Sequence, residues 1–183
     1  MDRTQGSGRG RTRGLTLVEQ VMVVAIVAIL VSVASPSLAG LVRRGRMQSA
    51  QTDFMQALGY ARNEAVLRHT RMVFCPTRDG LRCSEESRWE SGWLVGVDRD
   101  RNNQPDGAPL RVGQGHAPLR IKSSQARRRV AFLPDGSASG SNLTLLFCSP
   151  DQGQGPLGVV VSNSGRIRGS RPDATQAADC LDG

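Results

Sequence analysis

The sequence predicts an α+β protein in which a long N-terminal α-helix packs on an antiparallel β-sheet domain. Two observations support this: an apolar run that continues as an amphipathic helical pattern to about residue 69, and short strand-like segments after Arg71. A helix followed by hairpin-linked strands is typical of α+β architecture. We divide the chain into a basic leader (1–14), an apolar helical span (15–42), an amphipathic helical half (43–70) and a β-rich domain with an irregular tail (71–183).

The N-terminal stretch joins the basic leader to the apolar span. From Leu15 to Val42, Glu19 is the only charged side chain. At about 1.5 Å per residue, a helix from Leu15 to Ser35 would be about 30 Å long, which matches the hydrocarbon thickness of a bilayer. An ordinary signal anchor and a cleaved signal peptide are the alternatives, and the signal peptide leaves the carboxylate at the start of the apolar span unexplained.

A short ordered motif lies where the leader meets the apolar span. The leader ends in Gly14. The next residues are Leu15, Thr16 and Leu17, and Glu19 stands two positions after Leu17. This pattern resembles the type III signal of type IV pilins and pseudopilins. The resemblance implies cleavage between Gly14 and Leu15 by a membrane-bound prepilin peptidase, N-methylation of Leu15, and insertion in the inner membrane. It also implies that Glu19 pairs with the N-terminal amine of a neighbouring pilin during assembly.

The second half of the helix carries one apolar stripe. Its members recur every three or four residues, the period of one helical face; they are Met47, Ala50, Phe54, Leu58, Ala61 and Ala65. Turn-rich sequences then separate eight expected strands, at 72–75, 93–97, 110–112, 119–121, 130–133, 143–148, 157–161 and 166–168. We expect these strands to form an antiparallel sheet on the helix, and the tail after Gly169 to be irregular.

All four cysteines follow the apolar span: Cys75, Cys83, Cys148 and Cys180. An even number beyond an export signal indicates disulfide bonds formed in an oxidising compartment. Of the three possible pairings, the spacing favours Cys75–Cys83, which would close a turn-rich loop, with Cys148–Cys180 tethering the tail. Free, reduced cysteines are the alternative.

The order of the later motifs narrows the family. A Trp-rich segment at 89–93 leads into a strand that ends at Asp98, a Phe-Leu-Pro-Asp-Gly segment follows at 132–136, and Gly-Arg-Ile-Arg stands at 165–168. Together with the N-terminal signal, this succession resembles the GspH/FimT family of minor pilins and pseudopilins. The resemblance implies a type IV pilin-like fold, a periplasmic β-rich domain, and other major and minor pilins as partners.

The residues that catalysis needs form no recognisable site. His69 and His116 are the only histidines, and no nucleophile elbow, phosphate loop or paired-carboxylate arrangement stands out. Residues 98–107 place oxygen-bearing side chains at alternate positions, as calcium loops do, but they lack the glycine and glutamate of an EF-hand and include Arg99 and Arg101. We interpret this segment as a polar hairpin turn and expect no enzymatic activity, no cofactor and no metal.

Arginine supplies the remaining functional signal. The chain has a formal net charge of +8, and loss of residues 1–14, with four arginines and Asp2, would remove +3 and leave +5. Arg166 and Arg168 alternate along an expected strand and would project from one face. Because guanidinium groups bind phosphate oxygens in a bidentate manner, these residues indicate either a polyanion site or a solvated strand end.

The Gly-Arg-x-Arg segment looks like the DNA-binding motif of FimT-type minor pilins, which capture DNA in natural transformation. The resemblance places this role on Arg166 and Arg168, with Gly165 as the hinge. Electrostatics alone extends the basic surface to Arg171, Lys122, Arg127, Arg128 and Arg129. We therefore expect a minor pilin that binds extracellular double-stranded DNA with little sequence preference. The alternative is a structural minor pilin or type II secretion pseudopilin that primes filament assembly through protein contacts.

Overall fold

The structure is a computed structural model that describes residues 16–124, 127–150, 155–178 and 180. The chain divides into two units, residues 1–41 and 42–183. Helix α1 spans Leu17–Leu67, so it begins in the first unit and ends in the second. Gly14 and Leu15, the expected processing site, lie outside the described residues.

Helix α1 begins with a local cap. The backbone N–H of Glu19 donates to the Thr16 hydroxyl at 3.3 Å. Thr-x-x-Glu at a helix start has the spacing of a capping box, and a carboxylate in the first turn is favourable near the positive end of the helix dipole. Glu19 thus has a local role at the helix terminus, a role that its Thr-x-x-Glu spacing signals in the sequence.

The first turns of α1 present apolar side chains to the outside. Between Leu17 and Val31, the large apolar side chains are 51–81% exposed. Within the described part of the chain, no helix combines the length and the apolarity that crossing a membrane requires.

Two four-stranded antiparallel sheets form the second unit, where one sheet was expected. The strands are β1 (Met72–Pro76), β2 (Gly92–Val97), β3 (Arg111–Gln114), β4 (Arg120–Ser123), β5 (Val130–Phe132), β6 (Leu143–Cys148), β7 (Leu157–Val161) and β8 (Ile167–Ser170). The first sheet has the order β3-β2-β1-β5 and the second β4-β6-β7-β8. The bounds of all eight strands lie within two residues of the expected ones. The single-sheet expectation was wrong because alternation shows which face of a strand is buried, but not which strand lies beside it.

The second half of α1 supplies the face on which both sheets pack. All six residues of the expected stripe are at most 2% exposed. The Phe54 ring meets the rings of Phe74 and Trp93 in the first sheet, with centroids 5.9 and 6.4 Å away. It also meets Phe147 in the second sheet at 5.3 Å. One aromatic side chain on the helix therefore contacts both sheets.

Each sheet also carries a disulfide. Cys75 is bonded to Cys83, and Cys148 to Cys180, which is the pairing that the spacing favours. The first disulfide belongs to a small apolar cluster with Val73 and Leu94, apart from the main core. Because Val73 and Leu94 alternate with core residues of their strands, this cluster covers the face of the first sheet that is turned away from α1.

The tail is more regular than expected, since it contains the short helix α2 (Ala174–Ala178). The Asp173 carboxylate accepts hydrogen bonds from the Gln176 N–H at 2.8 Å and the Thr175 hydroxyl at 2.6 Å. These bonds, the Gln176 one foremost, lower the pKa of Asp173. Because the folded pKa lies below the unfolded one, this cap stabilises the tail above the unfolded pKa, and its effect is lost as the pH falls through the folded pKa.

Candidate nucleic-acid interface

Residues 162–166 form the turn between β7 and the edge strand β8, the arginine turn. Gly165 and Arg166 end this turn, and Ile167 and Arg168 begin β8. The Gly165 N–H donates to the Ser162 carbonyl at 2.8 Å, and the Ser162 N–H donates to the Arg166 carbonyl at 3.0 Å. The Arg166 N–H donates to the Ser162 hydroxyl at 3.2 Å. The backbone at Arg166 is therefore fixed by hydrogen bonds within the turn, and Arg168 is held by its pairing with Val160 in β7.

A neighbouring turn supports this one. Gly165 is buried with φ of 74°, and a Cβ at this position would lie 1.9 Å from the Gly136 carbonyl oxygen. That oxygen accepts a hydrogen bond from Arg62 Nε on α1 at 3.0 Å. The Ala138 N–H donates to the Asn163 carbonyl at 2.9 Å. Gly165 thus has a packing role in the structure, where the motif suggested a hinge.

Arg166 and Arg168 both lie on the outer surface. Ile167, between them, packs against the main core, so the alternation of an extended chain turns its two neighbours outward. Both arginines are exposed. Among the residues that the structure describes, neither guanidinium has a hydrogen bond or an ion pair. Both groups are therefore accessible to a phosphate oxygen.

Lys122 lies on the opposite edge strand of the same sheet. Arg168 pairs in register with Val160, and Lys122 pairs with Leu146. Val160 and Leu146 alternate with core-facing residues, so Arg168 and Lys122 share the outer face. Three strand steps of about 4.8 Å and an offset of two residues along the strands separate them by roughly 16 Å. Arg120, two residues before Lys122, is exposed on the same face. Arg120 was not among the residues expected on the basic surface, although the alternation along β4 places it on the same side as Lys122.

The run of three arginines makes contacts within the domain. Arg128 and Arg129 bind Glu85 at 2.8 and 3.1 Å, and Arg127 donates to the Gly140 carbonyl at 2.8 Å. The hydrogen bond from Arg128 and the charge of Arg129 lower the pKa of Glu85. All three arginines line an open cavity of about 390 Å³. They form a second basic region, separate from β8.

Residues 138–140 connect the two basic regions. At one end of this segment, the Ala138 N–H donates a hydrogen bond to the Asn163 carbonyl of the arginine turn. At the other end, the Gly140 carbonyl accepts a hydrogen bond from the Arg127 guanidinium. Arg171 is exposed directly after β8. The structure therefore brings Arg127 toward the arginine turn, whereas Arg171 lies at the opposite end of β8 from it and Glu85 holds Arg128 and Arg129.

Comparison with known proteins identifies the family. The family model described as Type II transport protein GspH matches residues 50–165, more than half of the chain. The chain belongs to the GspH family. The resemblance to GspH/FimT-type minor pilins is thereby confirmed.

Solved structures of a minor pilin have the fold of this GspH-family chain. Two crystal forms of the type IV minor pilin FimU from Pseudomonas aeruginosa match it. The first is 24% identical with a TM-score of 0.58 and covers 74% of this chain and 94% of FimU. The second is 26% identical with a TM-score of 0.55 and covers 67% and 91%. No curated protein matches the chain. The type IV pilin-like fold is confirmed.

Proposed function

We propose that this GspH-family protein is a minor pilin that binds extracellular double-stranded DNA for uptake in natural transformation. The observation that carries the proposal is the exposed pair Arg166 and Arg168, one at the end of the turn that Gly165 fixes against the domain and the other in β8. Alternate residues of an extended chain are about 6.6 Å apart, so the two guanidinium groups can engage different phosphates. Phosphate contacts carry no base information, so sequence preference should be weak.

The N-terminal segment provides membrane insertion and assembly in this proposal. Prepilin peptidase cleaves between Gly14 and Leu15, and the inner membrane holds residues 15–42 with residues 71–183 in the periplasm. The processed protein then joins other pilins in a cell-surface pilus, where Glu19 pairs with the N-terminal amine of a neighbour. The exposed apolar side chains between Leu17 and Val31 support this arrangement.

The Arg166→Gln/Arg168→Gln double variant tests the DNA site. Residues 42–183 contain the whole main core and suit a soluble assay. We expect salt-sensitive binding of labelled duplex DNA by the wild-type domain, measured by fluorescence anisotropy at two salt concentrations. The double variant should bind roughly 10- to 100-fold more weakly, with a salt slope lower by about one to two units, because two phosphate contacts are lost.

The matched control for this test is Arg78→Gln/Arg82→Gln. These two arginines are exposed in the Cys75–Cys83 loop of the first sheet, and their loss changes the net charge equally. The control should keep near-wild-type affinity. Equal weakening in both double variants would show that net charge alone attracts DNA, and unchanged affinity in the Arg166/Arg168 variant would refute the proposed site.

Glu85→Gln should strengthen DNA binding about two- to fivefold. The Glu85 carboxylate occupies Arg128 and Arg129, and exposed charge pairs of this kind are worth about 0.2–1 kcal/mol. Releasing the two guanidinium groups makes them available to the phosphate backbone. The same anisotropy titration measures the change. Unchanged affinity would remove Arg128 and Arg129 from the interface and leave the turn arginines as its centre.

A second candidate function is filament priming by a structural minor pilin or type II secretion pseudopilin. The fold match to the minor pilin FimU and the exposed apolar start of α1 favour it. Deletion of the gene separates the two functions. Loss of surface pili or of secretion would support priming, whereas normal pili and secretion with failed DNA uptake would count against it.

A further inference from the structure

Three carboxylates converge in the loop between β2 and β3. Asp98, Asp100 and Asp106 each bring one carboxylate oxygen within 4.8 Å of those of the other two. Like charges this close disfavour their own ionised forms unless a cation compensates them. This convergence alone does not distinguish a binding site from a polar turn. Asn102 donates to both Asp100 oxygens. The Arg99 N–H donates to Asp106 Oδ2 at 2.6 Å, so the buried Asp98 carboxylate is the group that decides.

The protein satisfies only one oxygen of Asp98. The side chain is fully buried, and its Oδ2 accepts hydrogen bonds from the Arg71 guanidinium and from the Asn103 N–H at 3.2 Å. Its Oδ1 is buried and has no hydrogen-bond partner. A buried carboxylate oxygen without a partner carries a desolvation cost that folded proteins rarely accept. This oxygen therefore indicates a ligand that the described chain does not supply.

The loop that holds these carboxylates is anchored on two sides. Arg71 Nη2 donates to the Asn103 side chain at 2.7 Å. The Gln104 amide accepts from the Cys83 N–H at 2.8 Å and donates to the Cys83 carbonyl at 3.2 Å, which ties the loop to the first disulfide. Asp98 itself follows the last residue of β2 directly. The fold thus fixes Asp98 and the part of the loop that lies between Asp100 and Asp106.

We propose that residues 98–106 bind a calcium ion through Asp98, Asp100 and Asp106. Calcium takes oxygen ligands from carboxylates and carbonyls in flexible geometry, whereas magnesium requires a near-ideal octahedron. The polar-turn interpretation of the sequence rested on the missing EF-hand glycine and glutamate. The structure brings the carboxylates together without an EF-hand loop: Asp98 lies at the end of β2, and the loop returns so that Asp106 lies near it. The proposal is independent of DNA binding.

Nearby arginines set the expected affinity. Arg71 already binds Asp98, and Arg99 Nη1 lies 4.0 Å from the Asp106 carboxylate, so both reduce the negative potential at the site. The dissociation constant should therefore fall in the range of extracellular calcium modules, on the order of 0.1–1 mM. Such a site would be filled only where calcium is plentiful.

Equilibrium dialysis of the full chain in detergent against ⁴⁵Ca²⁺ tests the site. We expect about one ion per chain for the wild type, and at least roughly tenfold weaker binding for Asp100→Asn and for Asp106→Asn, since each loses a charged ligand. Both carboxylates belong to the exposed part of the loop, so these variants should fold. Glu64→Gln makes the same chemical change on α1, where Glu64 pairs with Arg68, and should bind calcium as the wild type does.

Arg99→Gln tests the site without removing any of the three proposed ligands. Removal of this cation should tighten calcium binding about two- to fivefold, because exposed charge interactions are of that size. The proposal fails if the wild type shows no binding up to roughly 10 mM, ten times the upper expected constant. It also fails if neither aspartate variant weakens binding, or if Arg99→Gln leaves the affinity unchanged.

Discussion

Gly165→Ala should destabilise the domain by about 2–5 kcal/mol. A left-handed conformation costs a residue with a Cβ about 1–2 kcal/mol, and forcing an extra carbon into a packed contact costs a further 1–3 kcal/mol. Gly165 combines both conditions, with φ of 74° and a Cβ position only 1.9 Å from the Gly136 oxygen. Urea unfolding of residues 42–183 measures the change in the free energy of unfolding.

Gly140→Ala is the matched control, because it separates strain from collision. Gly140 has φ of 75°, but no heavy atom lies within 4 Å of its Cβ position. Its substitution should therefore cost only the conformational part, about 1–2 kcal/mol. Equal losses at the two positions would contradict the packing role of Gly165. If that role holds, Gly165→Ala should also weaken DNA binding, although both arginines remain, since the turn that presents them must shift.

The elements of this fold were predictable wherever the sequence pattern is local. The stripe from Met47 to Ala65 repeats with the helical period, and apolar burial on one face is what keeps such a helix in place. The strands were predictable for the same reason, since turn residues mark their ends. The outward projection of Arg166 and Arg168 follows from alternation about the core-facing Ile167.

Contacts between distant segments could not be predicted in this way. Nothing near Gly165 in the sequence indicates that Gly136 will lie against it, or that Arg62 will bind the same carbonyl. The sequence predicts that Arg127, Arg128 and Arg129 extend the basic surface. In the structure, Arg128 and Arg129 form ion pairs with Glu85, which is more than forty residues away in the sequence. Likewise, the buried state of the Asp98 Oδ1 depends on packing around the loop and not on its spacing.

Phe54→Ala should cause the largest loss of stability, about 3–5 kcal/mol, the usual cost of truncating a buried phenylalanine. Phe54 is fully buried, and its ring contacts aromatic rings of both sheets. Truncation of Phe54 would leave a cavity and remove the ring contacts that pack both sheets against α1. Urea unfolding of residues 42–183, followed by tryptophan fluorescence, measures the loss. Leu67→Ala, at a position 75% exposed on the same helix, should change stability by no more than about 0.5 kcal/mol.

The same variant tests whether the two sheets unfold as one cooperative unit. Amide hydrogen exchange in β1 reports on the first sheet, and amide hydrogen exchange in β7 reports on the second. Because Phe54 packs between Trp93 and Phe147, both probes should show the same loss of free energy in Phe54→Ala. A loss confined to the first sheet would mean that the second is stabilised separately. The stability of the sheet that carries the arginine turn would then not depend on the contacts of Phe54.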